Sequence, residues 1–219
     1  MIRLFCGYDE REAAGFHAFV QSVIETASEP VSIIPLTGQQ RDGTNAFTYV
    51  RFLVPYLCDF EGYAIFADGA DMLMRDDIAK LWRLRVVTMP VQVVKHDYQT
   101  KHKRKYVGTE MEASNNDYPR KNWSSVIVYD CGHEANRVLT PEYVAKHDGA
   151  HLHRFGWLTD EQIGELPKDW NWLADEYGEN QNAKLIHWTA GIPGFYQYRH
   201  APHSDEWRLA VRNAQRGID

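Results

Sequence analysis

Cysteine is scarce in this 219-residue chain. Cys6, Cys58 and Cys131 stand far apart with no Cys-x-x-Cys pairing, which argues against a disulfide framework or a zinc site and leaves them as small core residues. Long apolar runs are also missing. VVTMPVQVV is far too short to cross a bilayer, so no membrane span is expected. The N-terminal MIRLFCGYDE turns polar early and has no apolar signal-peptide core, so a cytoplasmic location is expected. An excess of positive charge is absent too: the formal net charge is −6, and the molecule as a whole does not attract polyanions. There are no internal repeats, no low-complexity tracts and no linker-like stretch, which points to one domain over 1–219. What is present is ordinary for a globular protein, with 44% hydrophobic and 25% charged residues in a chain long enough to bury a sizeable core.

Charge is nevertheless unevenly spread. KHDYQTKHKRKY (95–106) is strongly basic, and Arg120 and Lys121 add to it. Such a stretch is either a solvated loop or a local grip on phosphates, from a nucleotide or from nucleic acid.

The order of elements reads as α/β. MIRLFCG is a short buried strand stopped by glycine. REAAGFHAFVQSVIETAS then places Phe16, Phe19, Val20, Val23, Ile24 and Ala27 on one helical face, and VSIIPL is a second strand. Strand, helix, strand implies a mostly parallel central sheet flanked by helices. AFTYVRFLVPYLCDF resembles a helix bent near Pro55, and YAIFA a fully buried strand running into DGAD. DDIAKLWRL is a further helix with its aspartates near the positive end. VVTMPVQVV and SSVIVYD are strand candidates, the first made an edge or broken strand by Pro90. The polar, aromatic stretch 95–122 is a long loop, and loops of that length inside an α/β domain tend to be functional. Beyond 131 the chain is an irregular helical part rich in His and Trp, with KLIHW as a late strand and HSDEWRLAVRNAQR as a closing helix.

Three segments carry chemistry. In YAIFADGADMLM (63–74), Asp68 and Asp71 stand just past the end of a buried strand, the edge where open α/β sheets bind ligands. Carboxylates there suit a hard divalent cation, Mn2+ or Mg2+, though aspartates also cap helices and shape turns. In KLIHWTAGIPGF (184–195) a strand delivers His187 to a Gly- and Pro-shaped turn; a lone histidine among ten is more commonly structural. In YPRKNWSSVIVYD (118–130), Asn122, Ser124 and Ser125 lead into a strand, either as sugar-binding groups or as a strand-start turn.

Taken in order, these segments resemble the nucleotide-sugar glycosyltransferases of the glycosyltransferase-A fold, most nearly the family-8-like group. YVRFLVPYL (49–57) looks like that group's arginine-bearing helix before a proline, and FADGADMLMRDDIAKLW (66–82) like its Asp-x-Asp strand end and following helix. NWSSVIVYD (122–130) is similar to its Asn-Ser-Gly strand and TDEQ (159–162) to its Asp-Gln segment. DWNWL (169–173) and IHWTAGIPGF (186–195) look like its Trp-Asn and His-x-x-Gly motifs. The resemblance runs from about residue 2 to 198.

The resemblance implies roles. Asp68, Asp71 and His187 would hold the divalent cation, with the diphosphate of a nucleotide-sugar donor, a UDP-sugar favoured, completing the shell. Gly7, Tyr8 and Asp9 would contact the base and ribose, Arg51 and Gly191 the donor near the metal, and Ser124 and Ser125 a sugar. Asn122, Asp160 and Gln162 would serve near the reacting carbon. His96, Asp97 and Trp172 would line the acceptor side, the acceptor being a saccharide or another hydroxyl, with DNA possible but not favoured. Residues 1–131 would form the nucleotide-binding sheet and 132–219 the acceptor-side and C-terminal segment of the same domain. Retention of configuration is the expectation. Two departures stand out: two residues, not one, separate the aspartates, and Ile192 precedes Pro193 where the group carries a lysine. Lys95, Lys101, Arg104 or Lys121 would then have to meet the diphosphate.

Two rival functions remain. A nucleotidyltransferase making a nucleotide sugar would share sheet and metal but opens with a Gly-rich basic loop, a character CGYDEREAAG lacks. A non-catalytic carbohydrate- or nucleic-acid-binding module would have no need to keep Asp68, Asp71 and His187.

Overall fold

Six nearly uninterrupted apolar residues, Ile2–Gly7, form the first strand, β1. The computed structural model describes residues 1–41 and 45–216. After β1 the Asp9 carboxylate accepts the Arg11 amide and caps a short 3-10 turn, from which helix α1 (Ala13–Thr26) runs on. Phe16, Ala18, Phe19, Ser22 and Val23 are the buried face of α1. Ile24, expected on that face, is 60% exposed, because the stripe is centred on positions 16, 19 and 23 and the next residue swings outward by a quarter turn.

Strand β2 (Val31–Leu36) follows. The segment expected as a helix bent at Pro55 is instead a 3-10 turn over Val50–Leu53 and a single α-turn, α2 (Val54–Leu57). Pro55 sits in the first turn of α2, where its missing N–H costs nothing, so it starts that helix rather than bending one. Strand β3 (Tyr63–Ala67) leads through the Asp68–Asp71 turn to β4 (Met72–Met74). Helix α3 (Ile78–Arg83) is capped by the Asp77 carboxylate, which accepts the Ala79 amide.

Strand β5 covers only Val91–Val93. Pro90 breaks the longer run as expected, but β5 is an interior strand, not an edge one; the Pro90 carbonyl accepts from the Asp130 amide. The 95–122 stretch holds a two-residue hairpin, β6 (Arg104–Lys105) with β7 (Ala113–Ser114). Strand β8 (Val126–Asp130) precedes the short helices α4 (Pro141–Lys146) and α5 (Gly149–His153). The remaining elements are β9 (Ile163–Glu165), β10 (Trp172–Leu173), α6 (Ala174–Tyr177), β11 (Leu185–His187) and the closing helix α7 (Ser204–Ala214), which packs against α1.

The central sheet has the order β2-β1-β3-β8-β5-β9. Pairings β1–β2, β1–β3 and β5–β9 are parallel, while β8 runs antiparallel to both its neighbours. Strand β9, from beyond residue 132, completes this sheet, so both halves of the chain build it. A smaller sheet, β10-β11-β4, pairs His187 with Met72 and with Leu173. That register is what positions the site: Asp71 precedes Met72, Asn171 precedes Trp172, and both are carried to the flank of His187. No helix among the described residues is long and apolar enough to cross a membrane.

Candidate functional site

Asp68 and Asp71 flank a turn that glycine makes possible. Gly69 has φ of +73°, in the left-handed region, and the turn is closed by the Ala70 amide donating to the Asp68 carbonyl. The two carboxylates are thereby turned toward the end of β11. His187 Nε2 lies 3.2 Å from Asp71 Oδ2 and 3.9 Å from Asp68 Oδ2. One ligand atom from each of the three residues falls within 4.8 Å of the others, so the cluster could hold a divalent cation. The fit is chemical as well as geometric. Asp71 Oδ1 is buried without a hydrogen-bond donor among the described residues, an arrangement that costs free energy unless a cation takes the lone pairs. Two hard carboxylates and one imidazole form a donor set suited to Mn2+ or Mg2+.

The imidazole is oriented from behind. His187 Nδ1 is 2.9 Å from Asn171 Oδ1, and the Asn171 amide in turn donates to Ser125 Oγ at 2.8 Å and to the Asn122 carbonyl at 3.3 Å. With its NH2 so engaged, Asn171 presents only an acceptor to His187, which fixes the proton on Nδ1 and leaves Nε2 free for a cation. Burial works against a charged His187, but Asp71 and Asp68 outweigh it and raise its pKa. Burial likewise pushes Asp68 up to about 6, against the pull of Arg51, whose guanidinium is 2.5 Å away.

These groups open on a cavity of about 400 Å3. Arg51, Asn122, Ser124, Ser125 and His187 all line it with the two aspartates. Arg51 is tied to the carbonyls of Thr48 and Ser124 and to Asp68, so its charge is committed to the metal cluster. Asn122 holds a left-handed φ of +62° and donates to Tyr98 Oη; Ser124 Oγ meets His153 Nδ1 at 2.7 Å; Ser125 Oγ donates to the Asn122 carbonyl. Tyr8 and Asp9 line a second cavity of about 620 Å3 with Arg11, Gln39 and Gln40. Asp9 is spent there on Arg11 and on the Ala46 amide. Gly7 lines neither cavity: a side chain at that position would meet Phe47 and the Asp68 carbonyl.

Other expected residues are not brought to the cavity. Asp160 is exposed and ion-paired with Arg120, and the Gln162 side chain accepts the Thr159 amide in a capping box. Gly191 is covered by the Tyr198 ring rather than open to a ligand. Trp172 packs on Tyr177 and donates to the Gly178 carbonyl, buried His96 meets Tyr177 Oη at 3.1 Å, and Asp97 is exposed. The four cations expected to meet a diphosphate are also elsewhere. Lys101 donates to the Glu176 carbonyl, Arg104 pairs with Glu112, Lys121 donates to Asn115 and Asn116, and Lys95 lies over the Trp123 ring.

Sequence reasoning passed over Lys105, Asn171, Thr189 and Glu12. Asn171 lay inside a quoted motif without a role. Lys105 lay inside the basic stretch, and only strand alternation, which turns Arg104 out to Glu112 and its neighbour in to the cavity, picks it out. Glu12 is 1% exposed, and burial, then Asp71 and Asp9, push its pKa well up.

With this geometry in view, comparison with known proteins is decisive at the level of family. Protein CDI of Arabidopsis thaliana is 36% identical over 222 aligned residues, covering 94% of this chain and 84% of that protein. The chain belongs to the family of Protein CDI. No family model matches it. Among solved structures, the bifunctional glycosyltransferase WbbM superposes with a TM-score of 0.69 at 14% identity, over 97% of this chain. The chain spans half of WbbM, 50% of its length. The galactosyltransferase LgtC, solved with donor and acceptor sugar analogues, gives 0.62 at 10% identity over 96% of this chain and 95% of its own. The glycosyltransferase GlyE of Streptococcus pneumoniae TIGR4 also gives 0.62, at 12% identity, over 96% of this chain and 60% of its own. The fold of this Protein CDI relative is therefore of the glycosyltransferase-A type.

Proposed function

We propose that the chain is a metal-dependent glycosyltransferase of the family-8-like kind, acting as one domain, that moves a sugar from a nucleotide-sugar donor to a hydroxyl acceptor with retention. The observation that carries this reading is the convergence of Asp68, Asp71 and His187 on the wall of a sugar-sized cavity, beside a second hollow lined by Tyr8 and Asp9. The fold neighbours LgtC, WbbM and GlyE, all glycosyltransferases by name, support it.

The three ligands would hold Mn2+ or Mg2+, which when bound acts as a Lewis acid on the leaving diphosphate. The chain's own residues do the rest. Asn171 keeps the imidazole in the tautomer with Nε2 free. Arg51 holds Asp68 in place and offsets its charge. Asn122, Ser124 and Ser125 offer amide and hydroxyl groups to the sugar. The only carboxylates among the described residues lining the cavity belong to the metal cluster, so no carboxylate there is spare as nucleophile. The acceptor proton then passes to an oxygen of the departing diphosphate, on the face the donor leaves, which gives retention.

Release of nucleoside diphosphate from UDP-, GDP- and other nucleotide sugars, with and without Mn2+, tests the reading. Metal-dependent release is expected, falling by roughly 100- to 1,000-fold in Asp71→Ala and His187→Ala, the scale of losing charge stabilisation of a leaving group. Full activity in excess chelator defeats it.

A further inference from the structure

The three cysteines stand far apart in the sequence, yet the fold brings two of them together. Cys58 ends α2, its amide donating to the Val54 and Pro55 carbonyls, and Cys131 follows the last residue of β8. The antiparallel register of β3 on β8 sets Tyr63 against Asp130, and one step further the Cys131 amide donates to the Gly62 carbonyl at 2.8 Å. Between Cys58 and Gly62 the chain doubles back: Asp59, Phe60 and Gly62 all hold left-handed φ, of 53°, 55° and 65°. That turn lays residues 58–62 over the end of β8, with the Phe60 carbonyl 3.5 Å from the point where a side chain on Gly132 would begin. The Cys58 and Cys131 thiols meet there, both buried, and share a hydrogen bond. Because the backbone already holds the sulfurs in contact, a bond between them asks for little movement of the main chain.

Such a pair is packing material, part of a metal site, or a dithiol. A metal would need further ligands, and among the described residues the cluster of His, Cys, Asp or Glu that could hold one is Asp68, Asp71 and His187, not this pair. Inert packing does not explain the cation fixed beside it. Arg3 Nε donates to the Tyr63 carbonyl at 2.9 Å and its Nη2 to the Glu61 carbonyl at 2.5 Å, which anchors the guanidinium against the turn, where its charge favours a thiolate on either sulfur. The two thiols are also unequal. The hydrogen bond from Cys131, with help from Arg3, holds Cys58 below its ordinary value, while that bond and burial push Cys131 up. Cys58 is nearer solvent as well, at 5% exposure and set between exposed Leu57 and Asp59, against 0% for Cys131. Cys6, fully buried in β1 and pushed up by that burial, has neither advantage.

We propose that Cys58 and Cys131 are a redox-modification site, at which hydrogen peroxide or a small-molecule disulfide converts the two thiols into an intramolecular disulfide. With peroxide, the Cys58 thiolate attacks one oxygen, the O–O bond breaks, and a sulfenic acid forms as hydroxide leaves and takes up a proton. Cys131 then gives up its proton and attacks the Cys58 sulfur; the S–O bond breaks and water departs. The two thiols together lose two hydrogens, and the peroxide becomes two molecules of water. With glutathione disulfide, Cys58 displaces one glutathione and Cys131 the other, both leaving as thiols. The bond would staple the start of β3 to the end of β8, whereas Asp68 and Ser125 lie at the opposite ends of those strands. It therefore closes a long loop without entering the metal-side cavity, and it is independent of the glycosyltransferase reading.

The test treats the folded native chain with hydrogen peroxide and, separately, with glutathione disulfide, then alkylates it in denaturant and weighs it. The expected product is a single chain lighter by two hydrogens, with one alkylated thiol where the reduced chain has three. Peptide mapping should find Cys58 joined to Cys131, and dithiothreitol should reverse the change. The Tm of the oxidised chain should rise by roughly 5–15 °C, the scale of closing so long a loop. Cys6→Ser should oxidise as the native chain does, and Cys131→Ser in glutathione disulfide should stop at a mixed disulfide on Cys58. The decisive result is read on the native chain, so no variant has to fold for it. Three alkylated thiols after either oxidant overturn the proposal, as does a bond that recruits Cys6 or joins two chains. Glutathione retained on Cys58 beside a free Cys131 overturns it as well. So does a cross-link that leaves Tm unchanged or lowers it, because the two sulfurs would then have met only in an unfolded or distorted chain.

Discussion

At the scale of single residues, the site depends on side chains that never touch the cation. Asn171 is fully buried and spends both its donors on Ser125 and Asn122, so its oxygen is all that holds the proton on His187 Nδ1. Asn171→Ala is expected to lower Mn2+ affinity about 10- to 100-fold, measured by titration, while secondary structure is kept. Unchanged affinity would mean the imidazole needs no such anchor. Asp175 makes a different point. Burial pushes it up to about 6 even though its carboxylate accepts the Ala190 amide at 3.0 Å. A folded-state pKa above the ordinary one means the folded chain holds the proton more tightly. The stability this confers is full below about pH 4 and is lost as pH rises through about 6. Asp175→Asn, which keeps an acceptor and cannot ionise, should therefore gain roughly 1–3 kcal/mol over the native chain at pH 7.5 and almost nothing at pH 4. Equal shifts at both pH values, read from denaturant midpoints, would show that ionisation is not the cause.

Elements decide how far such residues could be read in advance. The strands β1, β2, β3 and β8, the helices α1, α3 and α7, and the late strand β11 announce themselves by apolar runs and caps, and they appear where the pattern puts them. Asp68, Asp71 and His187 were legible for the same reason: each terminates a buried strand or follows one closely. What the sequence could not carry was the register of β11 on β4 and β10, which alone brings Asn171 to His187, nor the inward face of a two-residue strand, which alone selects Lys105. Pairing at long range sets both. Pro55 misled for a related reason, since it lies at the start of an element and local rules do not say on which side of it the chain becomes regular; Pro90 breaks its run as expected, but the break lies before an interior strand. Part of the 95–122 stretch, irregular in sequence, is anchored by a buried acid. Glu176 on α6 accepts the Thr100 hydroxyl and, at 2.9 Å, the Lys101 amide, while Lys101 Nζ donates back to the Glu176 carbonyl. Glu176→Ala should release amides 100–106 to faster hydrogen exchange, by roughly 10- to 100-fold, before the central sheet responds. Exchange that rises equally in β1 and β3 would show a global loss of stability instead of a freed segment.

The whole molecule couples folding to its cation. Because Asp71 Oδ1 has no partner among the described residues, Mn2+ should stabilise the native state; at about 100 times its dissociation constant the gain is about 2.7 kcal/mol, or a rise of roughly 5–10 °C in Tm for a chain of this size. Asp71→Ala should abolish the shift. The same scale bears on whether DNA is an acceptor. A basic stretch on an acidic molecule would be its footprint, but those cations are largely engaged within the chain: Lys101 with Glu176, Arg104 with Glu112 at the surface, Lys121 with Asn115, and Lys105 on the cavity wall. Lys95 and Lys103 are too few to neutralise the many phosphates that a duplex contact engages. With a net charge of −6 opposing approach, the chain should show no measurable affinity for duplex DNA at about 150 mM salt. Neutral saccharide acceptors should bind with almost no dependence on salt between about 50 and 200 mM. A steep loss of acceptor affinity over that range would return the basic stretch to the surface and make a polyanion the better acceptor.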